Sequence, residues 1–137
     1  VEGSLAPAQL DARSQELLLA ANYAHVATLR RDGSPHVTPV WVDFRDGLVW
    51  LNSAEGRVWP RNLQRDPRVA LNVLNLENPF ENLEIRGHAT EFTLEGAEDH
   101  IDFLAKKYLG EDIYPYRQPG VRRLIIKVTP EWTRRQG

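Results

Sequence analysis

The 137-residue chain contains no cysteine and no methionine. Without cysteine there can be no disulfide and no thiolate metal site, and a cytosolic (cytoplasmic) location is the mild expectation that follows. No apolar run approaches the ~20 residues a membrane helix needs, and no signal-peptide pattern is visible. Positive charge is not in excess either. Seventeen Lys and Arg against nineteen Asp and Glu give a net charge of −2, which argues against a dedicated nucleic-acid binder but leaves room for a local basic patch. Phosphate-loop and dinucleotide glycine motifs are missing, as is a nucleophile-elbow serine. The histidines, His25, His36, His88 and His100, form no i, i+4 ligand pair, so no metal site is expected. Carboxylates do not cluster as in a hydrolase. Side chains alone therefore make a poor case for catalysis, and an organic cofactor would have to bring the chemistry.

What remains is an ordinary globular composition, 42% apolar and 26% charged, sufficient for one domain spanning residues 1–137. Val1–Ser4 are read as a trimmed or added start and set aside. Periodicity predicts a short helix over residues 8–21, then strands over 25–30 and 35–44 joined by the Asp32-Gly33 turn. A second Asp-Gly turn, at 46–47, leads into a strand over 48–52. A short helix is expected over 56–65 and strands over 69–73 and 83–93, with Gly87 marking a bulge or bend. A helix over 95–109, capped by Gly110, precedes a last strand over 121–128 that Pro130 should end. Six strands, mostly consecutive and joined by tight turns, predict an antiparallel barrel with peripheral helices rather than a parallel sheet.

Two segments carry the functional signal. In His36-Val37-Thr38-Pro39-Val40-Trp41, Pro39 cannot donate to a ladder, so the strand is expected at an edge or locally irregular. Free backbone groups there can read the edge of a heteroaromatic ring; an edge guarded by proline is the plainer alternative. In Asn52-Ser53-Ala54-Glu55-Gly56-Arg57, a strand is expected to give way to a helix. Its unpaired N–H groups, the Ser53 hydroxyl and the planar Arg57 fork suit a phosphate; simple capping by Ser53 is the alternative. Arg61, Arg65 and Arg68 concentrate positive charge nearby, with Asn62 among them. Trp41, Phe80, Tyr114 and Tyr116 are aromatic candidates for a substrate pocket or for packing.

Taken in order, Ala24-His25-Val26-Ala27-Thr28-Leu29, Asp32 to Trp41, Arg61-Asn62-Leu63, Arg65-Asp66-Pro67-Arg68-Val69, Glu84-Ile85-Arg86-Gly87 and Tyr108-Leu109-Gly110-Glu111-Asp112 with Tyr114-Pro115 resemble the pyridoxamine 5′-phosphate oxidase-like split-barrel family. Within it they are similar to the deazaflavin-dependent branch, the flavin/deazaflavin oxidoreductases of the B type. The resemblance implies a mainly β fold, a six-stranded antiparallel split barrel of the FMN-binding type, and a homodimer with its sites at the subunit interface. It implies coenzyme F-420 as cofactor, with flavin mononucleotide (FMN) as the alternative. The chemistry implied is hydride transfer to an electron-poor C=C or C=O of a small molecule. A non-catalytic flavin, deazaflavin or haem binder is the competing reading. The ring would lie against the strand His36-Val37-Thr38-Pro39-Val40. The phosphate would lie near Asn52, Ser53 and Arg57, with Asn62 close by, and a partner subunit would lend the loop at Pro79 and Phe80. Relatives of this branch usually carry lysine where Trp59 stands. Arg61 could replace that cation, or Trp59 could stack on the ring.

Overall fold

A computed structural model describes residues 8–137, so Val1–Ser4 fall outside the described residues. The chain runs α1 (Ala12–Leu19), β1 (Ala24–Leu29), β2 (Pro35–Val40), β3 (Val42–Arg45), β4 (Leu48–Ala54), α2 (Val58–Arg65), β5 (Arg68–Leu74), β6 (Asn82–Thr93), α3 (Ala97–Leu109) and β7 (Arg123–Gln136). No helix among the described residues is long and apolar enough to cross a membrane.

All pairings are antiparallel, in the order β2-β1-β5-β6-β7-β4-β3. The two edges, β2 and β3, are consecutive in sequence and separated only by Trp41. One chain segment can serve opposite edges only if the sheet curls until the edges meet, and this gives the split barrel. The expected single strand over 35–44 is therefore two, and the count is seven rather than six. Up to Val40 the segment pairs with β1, and from Val42 it pairs with β4. The break falls where the partner changes. Pro39 does lie on an edge strand, where its missing N–H costs nothing.

Local chemistry accounts for the turns. Asp46 and Gly47 both adopt positive φ, 54° and 77°, as a tight two-residue hairpin requires. In β6, Leu83, Ile85, Gly87 and Ala89 all point into the interior. The register slips at Arg86/Gly87, and a Cβ on Gly87 would stand 2.0 Å from the Thr129 carbonyl oxygen. That bulge also explains why β7 does not stop at Pro130. Pro130 sits opposite Gly87 at the irregularity, where a ladder N–H is not needed, and the strand continues to Gln136.

The core fills the curl with Val26, Val42, Val49, Leu51, Leu71, Val73, Leu83, Ile85, Ile126 and Val128, closed by Leu17 and Leu18 of α1 and Leu63 of α2. The alternation of β4 assigns Val49 and Leu51 to this interior, leaving Trp50 and Asn52 on the face that α3 covers. α3 runs from Ala97 and ends at Gly110 in the left-handed conformation, as its sequence predicted.

Candidate functional site

A cleft of about 300 Å³ opens at the corner where β2 passes into β3. One wall is Thr38, Pro39, Val40 and Trp41. The floor comes from Asn52 and Ser53 at the end of β4, and the opposite side from Arg57 and Trp59 at the start of α2. Ile101 and Leu104 of α3, Tyr114 and Tyr116 of the following loop, and Arg123 of β7 complete it. Both segments singled out in the sequence therefore border one cavity, although they are separated by a complete hairpin.

Their local settings differ from expectation in one respect. Asn52 and Ser53 do not stand at a strand–helix junction; they pair with Ile125 and Leu124 as the last part of β4. The strand runs to Ala54, and α2 begins at Val58. The residue preceding that helix is Arg57, whose side chain makes no capping bond. Pro60 fits the first turn because its missing N–H would have found no partner there. Capping by Ser53 is thus replaced by a helix entry whose flanking side chain is an exposed arginine.

The remaining candidates are not in the cleft. His36 and Val37 lie elsewhere on β2, Val37 exposed and His36 with a buried Nδ1 that finds no hydrogen-bond partner among the described residues. Arg61 is exposed on α2. Asn62 is buried on α2, where its Nδ2 donates to Thr28 Oγ1 at 3.1 Å and its Oδ1 accepts from Arg65 at 3.3 Å. Its amide ties α2 to β1 and is already engaged. Pro79 and Phe80 sit on the 75–81 loop between β5 and β6, with Phe80 83% exposed. Trp59, by contrast, is buried and borders the cleft, where it presents an aromatic ring.

Aromatic side chains set the cleft's rim. Trp41 stacks on Tyr108 with centroids 5.1 Å apart, and Tyr108 stacks on Tyr23 at 5.6 Å. Trp41 meets Tyr114 edge-on at 6.0 Å, and Tyr114 meets Tyr116 edge-on at 5.7 Å. Of the four aromatic residues proposed for a pocket, Trp41, Tyr114 and Tyr116 line it and Phe80 does not.

Sequence reasoning missed Arg123. It begins the apolar strand Leu124-Ile125-Ile126, is only 7% exposed, and lies among the cleft residues. Burial pulls its pKa below the ordinary arginine range, opposed by Tyr114 and reinforced by the positive charge of Arg57. No carboxylate among the described residues forms an ion pair with either arginine. The available signal was a charge set directly against an apolar run, sharing a strand face with Ile125. Two unneutralised guanidinium groups facing an apolar and aromatic wall suit a flat ligand that carries an anion.

Comparisons with known proteins agree with this fold. The family model described as pyridoxamine 5′-phosphate oxidase matches residues 10–137. Among solved structures, an F-420 reductase is 27% identical, with a TM-score of 0.79 over 91% of this chain and 98% of that one. A conserved hypothetical protein from Mycobacterium tuberculosis is 22% identical, with a TM-score of 0.72 over 95% of this chain and 86% of its own. HupZ of Group A Streptococcus is 18% identical, with a TM-score of 0.68 over 93% of this chain and 94% of its own. Among curated protein sequences none matches significantly.

Proposed function

Starting from the chain's membership of the pyridoxamine 5′-phosphate oxidase family, we propose that it is an oxidoreductase using coenzyme F-420, with the cofactor in the cleft at the β2–β3 corner. One observation carries this reading: Arg57 and Arg123, neither in an ion pair with a carboxylate among the described residues, share a cleft with the edge-strand segment Thr38-Pro39-Val40. The 27% identity to an F-420 reductase over nearly all of both chains supports the deazaflavin over other cofactors.

In this reading the Thr38-Pro39-Val40 wall borders the ring. Val40, Ile101 and Leu104 keep water from it, and Trp59 offers an aromatic face beside it. Asn52, Ser53 and Arg57 lie on the phosphate side. Reduced deazaflavin supplies a hydride for an electron-poor C=C or C=O of a small organic substrate. The protein's part is positioning and water exclusion; no side chain of the cleft stands out as a proton donor.

The volume bears on assembly. About 300 Å³ is at the small end of the roughly 300–1,000 Å³ typical of ligand pockets. A bulky cofactor would be only partly enclosed by this chain, which supports completion by a second copy in a homodimer. The exposed Pro79 and Phe80 loop is free to take part in such an interface.

The test is titration of the purified protein with coenzyme F-420, FMN and haem. It is followed by turnover of the reduced deazaflavin with a panel of quinones, tetrapyrroles and enones. Tight F-420 binding with hydride transfer to a member of the panel is expected. Binding of haem alone would replace this reading with that of a haem carrier, and binding of none would remove the cofactor reading altogether.

A further inference from the structure

From the cleft one chain of hydrogen bonds runs inward. Arg123 donates from Nε to Asn52 Oδ1 at 2.9 Å. Asn52 donates from Nδ2 to the Ala97 carbonyl at 3.0 Å and to His100 Nδ1 at 3.1 Å. His100 donates from Nε2 to Asp43 Oδ2 at 3.0 Å. All four side chains are buried, and they come from four elements, β7, β4, α3 and β3.

The direction of each bond is fixed from the ends. The Ala97 carbonyl can only accept, so the amide nitrogen of Asn52 faces α3 and its oxygen faces Arg123. Asp43 also accepts from the Phe44 N–H at 2.8 Å and from Arg45 Nε at 2.7 Å. Burial works to raise its pKa, but the His100 ring, the Phe44 N–H and Arg45 outweigh that and hold it below its usual value. An ionised Asp43 requires the proton of His100 on Nε2, which leaves Nδ1 bare to accept from Asn52. No member can turn over without setting two donors or two acceptors face to face.

At the outer end, Nε of Arg123 is consumed by Asn52 while its terminal nitrogens have no protein partner among the described residues. The Tyr114 ring lies 5.3 Å from its guanidinium carbon, and the neighbouring charge in the cleft is Arg57, of the same sign. A buried arginine is ordinarily paired, because an uncompensated buried charge is costly. Here four elements cooperate to hold one in place with no carboxylate in ion-pair contact among the described residues, Glu98 acting only at longer range.

We propose that Arg123 is the principal binding residue for the phosphate group of the cleft's ligand, and that His100 is a positioning residue acting on it through Asn52. This rests on the cleft being the cofactor site.

The test compares ligands with and without the phosphate: FMN against riboflavin, which differ only in that group, and coenzyme F-420 against its phosphate-free deazaflavin, which also lacks the tail attached through the phosphate. The wild-type protein should prefer the phosphorylated member of a pair by roughly 10- to 100-fold, as a charge-assisted contact implies. Arg123→Gln should remove most of that preference, leaving the several-fold share that Arg57 supplies, while affinity for the phosphate-free ligand changes far less. An undiminished preference in Arg123→Gln overturns the inference and leaves the proposed function standing; failure of the wild type to bind any of the four overturns both.

Two replacements isolate the positioning role. His100→Gln keeps an amide near Nε2 for Asp43 but removes the acceptor facing Asn52, and it should lower the phosphate preference several-fold. His100→Asn places an amide oxygen near Nδ1 and should retain the preference. The opposite ranking would show that His100 serves only as an anchor on Asp43. Should Arg123→Gln fail to fold, Arg123→Lys takes its place. That variant keeps a cation but loses the Nε–H, so adding His100→Gln to it should change the preference no further, and a further loss overturns the proposed path.

Discussion

The ring of Tyr108 lies flat against that of Trp41, centroids 5.1 Å apart and planes within 6°. At its other end the Tyr108 hydroxyl accepts from the Val42 N–H at 3.0 Å and donates to the Asn22 carbonyl at 2.6 Å. The α3 side chain thus ties Trp41 and the start of β3 to the segment that precedes β1. Tyr108→Phe preserves the stack and leaves a backbone N–H and a carbonyl without this partner. The expected cost is about 1–3 kcal/mol, read as a lower urea midpoint with an unchanged slope. A variant as stable as the wild type would show that the corner is held by stacking alone.

Gly87 tests the bulge. A Cβ there would stand 2.0 Å from the Thr129 carbonyl oxygen and 3.2 Å from the Pro130 Cα. Both are backbone atoms and cannot rotate aside. Gly87→Ala should therefore cost about 3 kcal/mol or more, with the β6–β7 ladder losing amide exchange protection on both sides of the bulge. Gly33→Ala is the useful control. Its space is open and its φ is +87°, so that variant should show only the smaller cost of a strained turn.

Much of this fold was legible because its signals are local. The alternation of Leu83, Ile85, Gly87 and Ala89 names an interior face, and Asp46-Gly47 names a hairpin. The break at Trp41 was not legible. Apolar residues continue at period two through Val40 and Val42, and only the pairing partner changes. Pro130 misled for the complementary reason: its missing N–H is harmless opposite a bulge created by a residue 43 positions away. The site divides the same way. Thr38-Pro39-Val40 and Arg57 carry their chemistry on their own segments. The importance of Arg123 lies in lacking a partner, which is a property of the folded surroundings. Asn62 shows the converse, an amide inviting to a ligand in sequence and committed to Thr28 in the fold.

Arg57 and Asn62 should accordingly behave oppositely, although five residues separate them. Arg57 is exposed at the mouth of the cleft and free of ion pairs among the described residues. Arg57→Ala is expected to weaken binding of the phosphorylated cofactor at least several-fold while hardly moving thermal stability. Asn62→Ala removes the buried bond to Thr28 and the acceptor for Arg65, for a stability loss of about 1–3 kcal/mol. Its cofactor affinity, measured well below its own melting temperature, should match the wild type. A drop in affinity for Asn62→Ala equal to that of Arg57→Ala would show that the phosphate site extends to Asn62.

Glu81 should set part of the acid stability. Its carboxylate accepts from Arg13 Nη2 at 2.6 Å and Nε at 2.8 Å, and from Asn75 Nδ2 at 2.9 Å. The forked contact joins α1 to the 75–81 loop. Arg13 foremost, then Asn75, lowers the carboxyl pKa from its ordinary 4.5 to about 2. Between those values the unfolded chain binds more protons than the folded one, so stability rises with pH across the window. The contribution is complete above the unfolded pKa and is lost as pH falls through the folded one. Glu81→Gln removes the titrating charge while keeping the side chain's size. Its unfolding midpoint should lie below the wild type's at neutral pH, and the two curves should converge as pH approaches 2. The subtraction is needed because Asp11 and Asp66 are also lowered to about 2 and titrate in the same range in both proteins. A constant gap from pH 7 to pH 2 would show that Glu81 contributes through shape or neutral hydrogen bonding and not through its charge.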